Sequence, residues 1–253
     1  MTNIILSGCC GKMGRVIANL AKDNEDINIV FGVDPSCGEM DFEVYKSIDD
    51  CDKKADVIID FSHPSAFDGL VSYCRRTGTP IVMCTTGLSK EQIDELKVLS
   101  NEVAVFYSAN MSLGVNVLIK LAQKAAKALY GNFDIEIVER HHNQKLDAPS
   151  GTALAIADAI DAVLDDDMHY EYDRHARRAK RPKAEIGIHA VRGGSITGDH
   201  EVIFAGQSEV IEISHHAAGK EIFAAGSLKG AQFLKGKPAG MYSMDDMLGN
   251  IIG

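Results

Sequence analysis

The alternation of short apolar runs with helical patterns in the first half of the chain constrains the fold most. Residues 3–7 form an apolar run that ends in a Gly-rich turn, residues 8–14, and helical spacing of apolar residues follows. Four further apolar runs lie at 27–33, 57–59, 80–83 and 103–106. Ser89 and Gln92 have the spacing of a capping box that opens a helix between the last two runs. Strands that alternate with helices in this way predict a parallel sheet.

The pattern changes after about residue 112. Helical spacing covers 115–129, and residues 133–137 alternate apolar and charged as in a half-buried strand. A helix at 150–164, strands at 185–191, 201–204 and 209–214, and a last helix at 221–234 are predicted next. We therefore expect an α/β protein. A Rossmann-type parallel-sheet domain would cover 1–112 and be completed by 220–253, and an α+β domain with a mixed sheet would cover 113–219.

Composition excludes several classes of protein. The 253 residues are 45% hydrophobic, and there is no apolar run of membrane-spanning length and no basic signal-peptide region, so a cytoplasmic protein that does not contact membranes is expected. The net charge of −10 argues against general nucleic-acid binding. All six cysteines precede residue 85 without a Cys-x-x-Cys pair, so we expect reduced thiols and no metal site.

The Gly-rich turn is a variant of the dinucleotide-binding fingerprint. Gly8, Gly11 and Gly14 follow a predicted strand and open a predicted helix, with Cys10 in the place of the usual second glycine. Asp34 lies 20 residues beyond Gly14 at a strand end, where a carboxylate can bind the adenosine ribose. A Gly-rich turn without a ligand, and a turn carboxylate before a proline, are the alternatives.

The segment 139–152 contains the candidate catalytic residues. It places His141, His142 and Lys145 just before a Ser-Gly-Thr helix start at Ser150. Imidazoles change charge near neutral pH, an ammonium is a point charge and proton source, and helix N-termini bind anions. A pocket for a small acid with adjacent proton donors is the prediction. The structural alternatives are one buried and one exposed histidine, a solvated lysine and a plain helix cap.

The residue order from Glu139 to Thr152 resembles the active-site signature of the 4-hydroxy-tetrahydrodipicolinate reductase (dihydrodipicolinate reductase) family, NAD(P)H enzymes of the diaminopimelate route to lysine. The strand-end loops 84–87 and 108–116 and the segment 187–200 also resemble that family. The chain departs from it at Cys84, where the family has Gly, at Met111, where it has Phe, and at Gly219-Lys220, where it often has Ser-Arg.

The resemblance implies a role for each matching residue. His141 would be the acid/base residue and Lys145 the proton donor. Substrate, a small cyclic dicarboxylate, would contact four further residues: His142, Gly151, Thr152 and Arg192. NADH and/or NADPH would contact the two groups of loops, namely Gly8, Cys9, Cys10, Gly11, Lys12, Met13 and Asp34, and Cys84, Thr85, Thr86, Ser108, Ala109, Asn110 and Met111. A homotetramer assembled through the second domain is also implied.

Two other functions fit part of the pattern. Another Rossmann reductase, such as an amino-acid or semialdehyde dehydrogenase, would not need the His-His-x-x-Lys and Ser-Gly-Thr combination. A non-catalytic NAD(P) sensor would not keep the proton donors His141 and Lys145. The basic stretch 174–183 lacks interleaved aromatic residues, so we interpret it as a solvated loop, or a mobile loop over an anionic substrate, rather than a nucleic-acid site.

Overall fold

In the computed structural model, which describes residues 1–50, 53–176 and 178–252, the chain folds as two units. One unit is Met1–Leu113 with Lys220–Gly253, and the other is Gly114–Gly219. Cys51 and Arg177, which entered the expectations about thiols and the basic stretch, lie outside the described residues. No helix among the described residues is long and apolar enough to cross a membrane.

A seven-stranded parallel sheet forms the first unit, in the order β12-β6-β5-β4-β1-β2-β3. Its strands are β1 (Thr2–Ser7), β2 (Ile27–Val33), β3 (Val44–Tyr45), β4 (Val57–Asp60), β5 (Ile81–Met83), β6 (Ala104–Tyr107) and β12 (Gly240–Tyr242). Its helices are α1 (Lys12–Lys22), α2 (Phe67–Thr77), α3 (Lys90–Leu99), α6 (Glu221–Leu234) and α7 (Met244–Ile252). This confirms the predicted parallel α/β class.

Helices cover both faces of this sheet, which explains its continuous apolar runs. Ile4 packs on one face with Leu228 of α6. Ile5 packs on the other face with Leu70 of α2 and Leu96 of α3. The predicted capping box is present at the start of α3, where the Gln92 N–H donates to Ser89 Oγ and the Ser89 N–H donates to Gln92 Oε1.

A mixed five-stranded sheet forms the second unit, in the order β11-β10-β7-β9-β8. Its elements are α4 (Leu113–Leu129), β7 (Asp134–His141), α5 (Gly151–Asp161), β8 (His169–Glu171), β9 (Glu185–Arg192), β10 (Gly198–Ala205) and β11 (Val210–Ala217). β7 pairs parallel with β9 and antiparallel with β10. Leu118 of α4 and Ile156 of α5 pack with Ile137 on one face of the sheet. The predicted mixed sheet is confirmed.

The thiol expectation is wrong for one pair. Cys10 and Cys37 are bonded through sulfur, with their Cα atoms 5.5 Å apart. They follow β1 and β2, which are neighbours in the sheet, so a sequence separation of 27 residues becomes direct contact. Cys9, Cys74 and Cys84 are free thiols.

The basic stretch is also more ordered than a solvated loop. Arg181 donates from Nε to Glu136 Oε1 at 3.0 Å and from Nη1 to Asp134 Oδ1 at 2.9 Å. Arg174 pairs with the buried Glu185. These two arginines fasten the stretch to β7 and β9, because carboxylates at the strand starts face it.

Candidate active site

The turn between β1 and α1 approaches neighbouring backbone closely. Gly8 has a φ of 74°, and a Cβ there would lie 2.5 Å from the Phe61 carbonyl oxygen. A Cβ at Gly14 would lie 2.2 Å from the Gly8 carbonyl oxygen. Both positions therefore require glycine. Gly11 is the N-cap of α1, so a helix N-terminus lies at the turn, as in folds that bind a pyrophosphate.

Asp34 lies at the end of β2, beside this turn. Its Oδ2 accepts a hydrogen bond from the Cys10 N–H at 3.1 Å, and its Oδ1 accepts one from the Ser36 N–H at 3.0 Å. The carboxylate, with Gly8 and Gly11, borders a cavity of about 500 Å³. A strand-end carboxylate beside a Gly-rich turn is suited to the hydroxyls of an adenosine ribose.

The two other predicted loops share a second cavity of the same unit. Its volume is about 640 Å³. The following sequence-predicted residues line it: Met13, Cys84, Thr85, Thr86, Ser108, Ala109, Asn110 and Met111. Both cavities lie at the carboxyl ends of parallel strands, where ligands bind in such sheets.

Asp60, which the sequence interpretation gave no role, supports this second cavity. It ends β4, and its Oδ2 accepts a hydrogen bond from Thr85 Oγ1 at 2.6 Å. Burial raises the pKa of the carboxyl, although hydrogen bonds from Ser62, Thr85 and Ser7 oppose the shift. The signal in the sequence was a carboxylate that directly follows a buried strand.

In the second unit, a buried carboxylate makes hydrogen bonds to residues of the segment 139–152. Glu139 is fully buried in β7. Its Oε2 lies 2.6 Å from His141 Nδ1, and its Oε1 accepts the Ser150 N–H at 2.9 Å. Arg192 donates to both oxygens at 2.7 Å. Burial alone would raise the pKa of Glu139, but the hydrogen bonds from Arg192, His141 and Ser150 outweigh it and lower the pKa.

This arrangement determines which nitrogen of the His141 ring faces the Glu139 carboxylate and carries a proton. An ionised carboxylate only accepts hydrogen bonds, so His141 Nδ1 carries a proton and Nε2 is left for other chemistry. His141 is the last residue of β7, and His142 follows the strand end. Sequence reasoning did not identify Glu139 as the partner; a carboxylate two residues before a histidine on the same face of a strand was the signal.

Arg192 lies in this cluster as a structural cation. Besides Glu139, its Nη2 donates to the Asp147 carbonyl oxygen at 2.6 Å and its Nη1 donates to the Val191 carbonyl oxygen at 2.7 Å. Its buried Nε has no hydrogen-bond partner among the described residues. The guanidinium thus already makes hydrogen bonds to protein groups, and its role as a ligand of a substrate carboxylate stays a prediction.

Ser150 opens α5 and joins the cluster to a second histidine. Its Oγ accepts the Ala153 N–H at 3.2 Å and lies 3.0 Å from His200 Nε2. The His200 ring contacts the His141 ring edge to face, with centroids 5.2 Å apart. Burial, followed by the nearby His141, lowers the pKa of His200 to about 4.

Gly151 and Thr152 form the first turn of α5, and space is open beside the Cα of Gly151. Lys145 is mostly buried, and its Nζ lies 2.9 Å from Asp147 Oδ1. This hydrogen bond lowers the pKa of Asp147. Through Asp147 and Arg192, Lys145 is connected to the carboxylate that holds His141. The cluster can therefore offer an anionic ligand a helix N-terminus, an ammonium and an imidazole.

Comparison with known proteins gives matches over most of the chain. The family model for the N-terminus of dihydrodipicolinate reductase matches residues 2–111, and the model for its C-terminus matches residues 114–248. A 4-hydroxy-tetrahydrodipicolinate reductase of Clostridium tetani is 52% identical over 249 residues, 98% of this chain and 97% of the relative. One from Caldanaerobacter subterraneus is 52% identical over 248 residues, 98% of each chain.

Solved structures share the fold. A dipicolinate-bound dihydrodipicolinate reductase from Paenisporosarcina sp. TG-14 has a TM-score of 0.82 at 23% identity, covering 98% of this chain and 99% of its own. A scyllo-inositol dehydrogenase from Lactobacillus casei with bound NAD(H) has a TM-score of 0.60 at 13% identity, covering 98% of this chain and 93% of its own.

Proposed function

The chain belongs to the dihydrodipicolinate reductase family, and from that premise we propose how its residues share the work of the reaction. It catalyses the NAD(P)H-dependent reduction of 4-hydroxy-tetrahydrodipicolinate to tetrahydrodipicolinate in lysine biosynthesis. The bound nicotinamide supplies the hydride. The protein must hold the dinucleotide, bind a dicarboxylate and deliver a proton.

The dinucleotide is held by the first unit. The turn 8–14 and the N-terminus of α1 bind the pyrophosphate, Asp34 binds the adenosine ribose, and the loops 84–87 and 108–111 border the nicotinamide. The close backbone approach at Gly8 and the carboxylate beside it support this assignment. A carboxylate favours a free ribose 2′-hydroxyl over a 2′-phosphate, so NADH is the proposed better cofactor.

The substrate is bound by the second unit. The N–H groups of Gly151 and Thr152 bind one carboxylate, the Lys145 ammonium offsets the negative charge, and His142 contributes a binding contact. Hydride addition to the conjugated imine leaves electron density that must be protonated on carbon. His141, with Nδ1 fixed by Glu139, and Lys145 supply that proton. Arg192 acts by holding Glu139.

The buried hydrogen bond between Glu139 and His141 carries this proposal, because it prepares one imidazole in one orientation beside an anion site.

A homotetramer, through the face of the second sheet opposite α4 and α5, and a cytoplasmic location remain predictions. Val210 of β11 is exposed on that face, because its neighbour Ile211 pairs with the core residue Phe204, and Val210 would be covered by such an assembly. Light scattering that returned a stable monomer would overturn the tetramer.

The experiment is a coupled assay in which the substrate is generated freshly and each nicotinamide cofactor is supplied in turn. Turnover that requires both substrate and cofactor supports the reductase. Dinucleotide binding without turnover would favour a sensor, and turnover only with an amino acid or semialdehyde would favour another dehydrogenase. His141→Ala is the variant that should bind the dinucleotide but lose turnover.

A further inference from the structure

Two cysteines link the loops on either side of the Asp34 carboxylate. Cys10 lies in the Gly-rich turn, and Cys37 lies three residues beyond Asp34. Their sulfurs are bonded, and the Cα separation of 5.5 Å is within the normal range for a disulfide. Neither residue is fully buried. The pair is therefore accessible to small reagents.

We propose that Cys10 and Cys37 are a redox modification site, exchanging with low-molecular-weight disulfides, and that their oxidation state sets the affinity of the adjoining dinucleotide site. In the oxidising direction, the Cys10 thiolate attacks the small disulfide, forming a mixed disulfide and releasing one thiolate. The Cys37 thiolate then attacks the Cys10 sulfur and releases the second. Two electrons pass to the small disulfide, and the two thiol protons go to the released thiols.

The other thiols of the described residues are poor competitors. Burial, with a further contribution from Asp34, raises the pKa of Cys9 to about 11, and burial raises the pKa of Cys74 to about 12. Burial also raises the pKa of Cys84. Since the thiolate is the nucleophile in exchange, these cysteines stay largely unreactive at neutral pH.

The effect on binding follows from what the disulfide joins. The Cys10 N–H donates to Asp34 Oδ2, and Gly8, Gly11 and Asp34 border the same cavity. The disulfide restrains the two loops that carry Cys10 and Cys37 on either side of this cavity. Fewer conformations of these loops are therefore lost when the dinucleotide binds. We expect about three- to tenfold tighter binding to the oxidised form, since restraint of a site in its bound shape lowers the entropic cost of binding.

A metal site is the competing interpretation. The sulfurs of Cys9, Cys10 and Cys37 all lie within 4.8 Å of one another, and thiolates bind soft divalent metals. The disulfide is favoured because two of these three sulfurs are bonded to each other here.

The first experiment equilibrates the enzyme with oxidised or reduced glutathione, alkylates free thiols and digests with trypsin without reduction. The oxidised sample should contain a crosslinked pair of peptides, 1–12 and 23–46, with fragmentation placing the bond at Cys10. Cys37→Ser should abolish it and Cys74→Ala should retain it. Absence of the crosslink, a Cys9 bond instead, or stoichiometric zinc that blocks alkylation of all three cysteines would overturn the proposal.

The second experiment titrates oxidised and reduced enzyme with NADH and NADPH by fluorescence. Kd should depend on oxidation state in the wild type and in Cys74→Ala but not in Cys37→Ser, with Cys37→Ala as a second variant should the serine variant fail to fold. Equal Kd in both states would refute the control of binding. This part rests on the proposed dinucleotide site; no dinucleotide binding in either state would refute that site, whereas the crosslink is read independently.

Discussion

Replacing Glu139 by Gln tests whether the buried carboxylate positions the acid/base histidine. Glu139 is the acceptor in all four of its hydrogen bonds. The donors are His141 Nδ1, the Ser150 N–H and the two terminal nitrogens of Arg192. A glutamine offers one oxygen and one NH₂ group. Whichever way the amide turns, its NH₂ faces two donors, so two hydrogen bonds are lost and the Arg192 charge loses its counter-ion.

The expected magnitudes follow from these losses. Removing one partner of a buried ion pair typically costs about 3–5 kcal/mol, and Glu139 is fully buried. The free energy of unfolding should fall by about that amount. Acid catalysis contributes about 10²–10⁴-fold, so loss of the ring orientation should lower kcat by roughly 10²-fold while KM for the substrate changes only a few-fold. Dinucleotide affinity should be unchanged, because Glu139 belongs to the other unit.

The assay combines urea unfolding, the coupled reductase assay and nucleotide titration. Proton NMR adds a direct readout: the hydrogen-bonded Nδ1–H signal that disappears in His141→Ala should also disappear in Glu139→Gln. The matched control is Glu201→Gln, which removes a carboxylate 2.7 Å from Arg140 in the same sheet. That pair is partly exposed, so a loss of about 1 kcal/mol or less is expected, with normal kcat.

A folded Glu139→Gln variant with kcat within threefold of wild type would refute the positioning role. So would an unchanged Nδ1–H signal. Equal losses of kcat in Glu139→Gln and Glu201→Gln would mean that sheet stability, rather than the orientation of His141, limits turnover.

Four further predictions concern the two sites. Lys145→Ala should lower kcat by a factor equivalent to about 3–5 kcal/mol with normal nucleotide binding, and turnover near wild type would exclude Lys145 from the proton transfer. Because Asp34 disfavours a 2′-phosphate, kcat/KM should be higher with NADH than with NADPH; a strong NADPH preference would contradict this. Pyridine-2,6-dicarboxylate should compete with substrate, and calorimetry showing no binding to the enzyme–cofactor complex would discard the anion pocket. Burial lowers the pKa of His200 from 6.5 to about 4, so the unfolded chain binds the proton more readily. The free energy of unfolding should then be highest above about pH 6.5 and fall towards pH 4. About 2 kcal/mol of it should be lost between pH 7.5 and 5, and urea unfolding of His200→Gln should not show this loss.

Most of the architecture was predictable because each long element carries its own periodicity. The apolar run 27–33 became β2, and the alternating residues from 133 became β7. The missed elements are mainly edge strands of two or three residues, β3, β8 and β12, which are too short to show a pattern. Their positions follow from backbone pairing with a neighbouring strand, which local sequence does not encode.

Pairing between distant residues was the part that sequence could not supply. The motifs located Asp34 and the Gly-rich turn, but not the bond between Cys10 and Cys37, because that contact arises from two loops meeting at one sheet edge. Likewise, His200 stood out only as part of a resembling segment, and its contact with Ser150 depends on β10 pairing with β7.

The surroundings of Arg192 show what residue type alone does not reveal in a charged pocket. An arginine near an anion site suggests a substrate ligand, and the net charge of −10 makes such a cation seem necessary. Yet Glu139 is buried on the same strand as His141 and needs a counter-charge to remain ionised there. Arg192 supplies that charge with two hydrogen bonds, which lowers the pKa of Glu139 and keeps the carboxylate an acceptor for His141. Arg192→Lys, which keeps the charge but loses one of the two hydrogen bonds to Glu139, should therefore disturb His141 and lower kcat more than it raises KM.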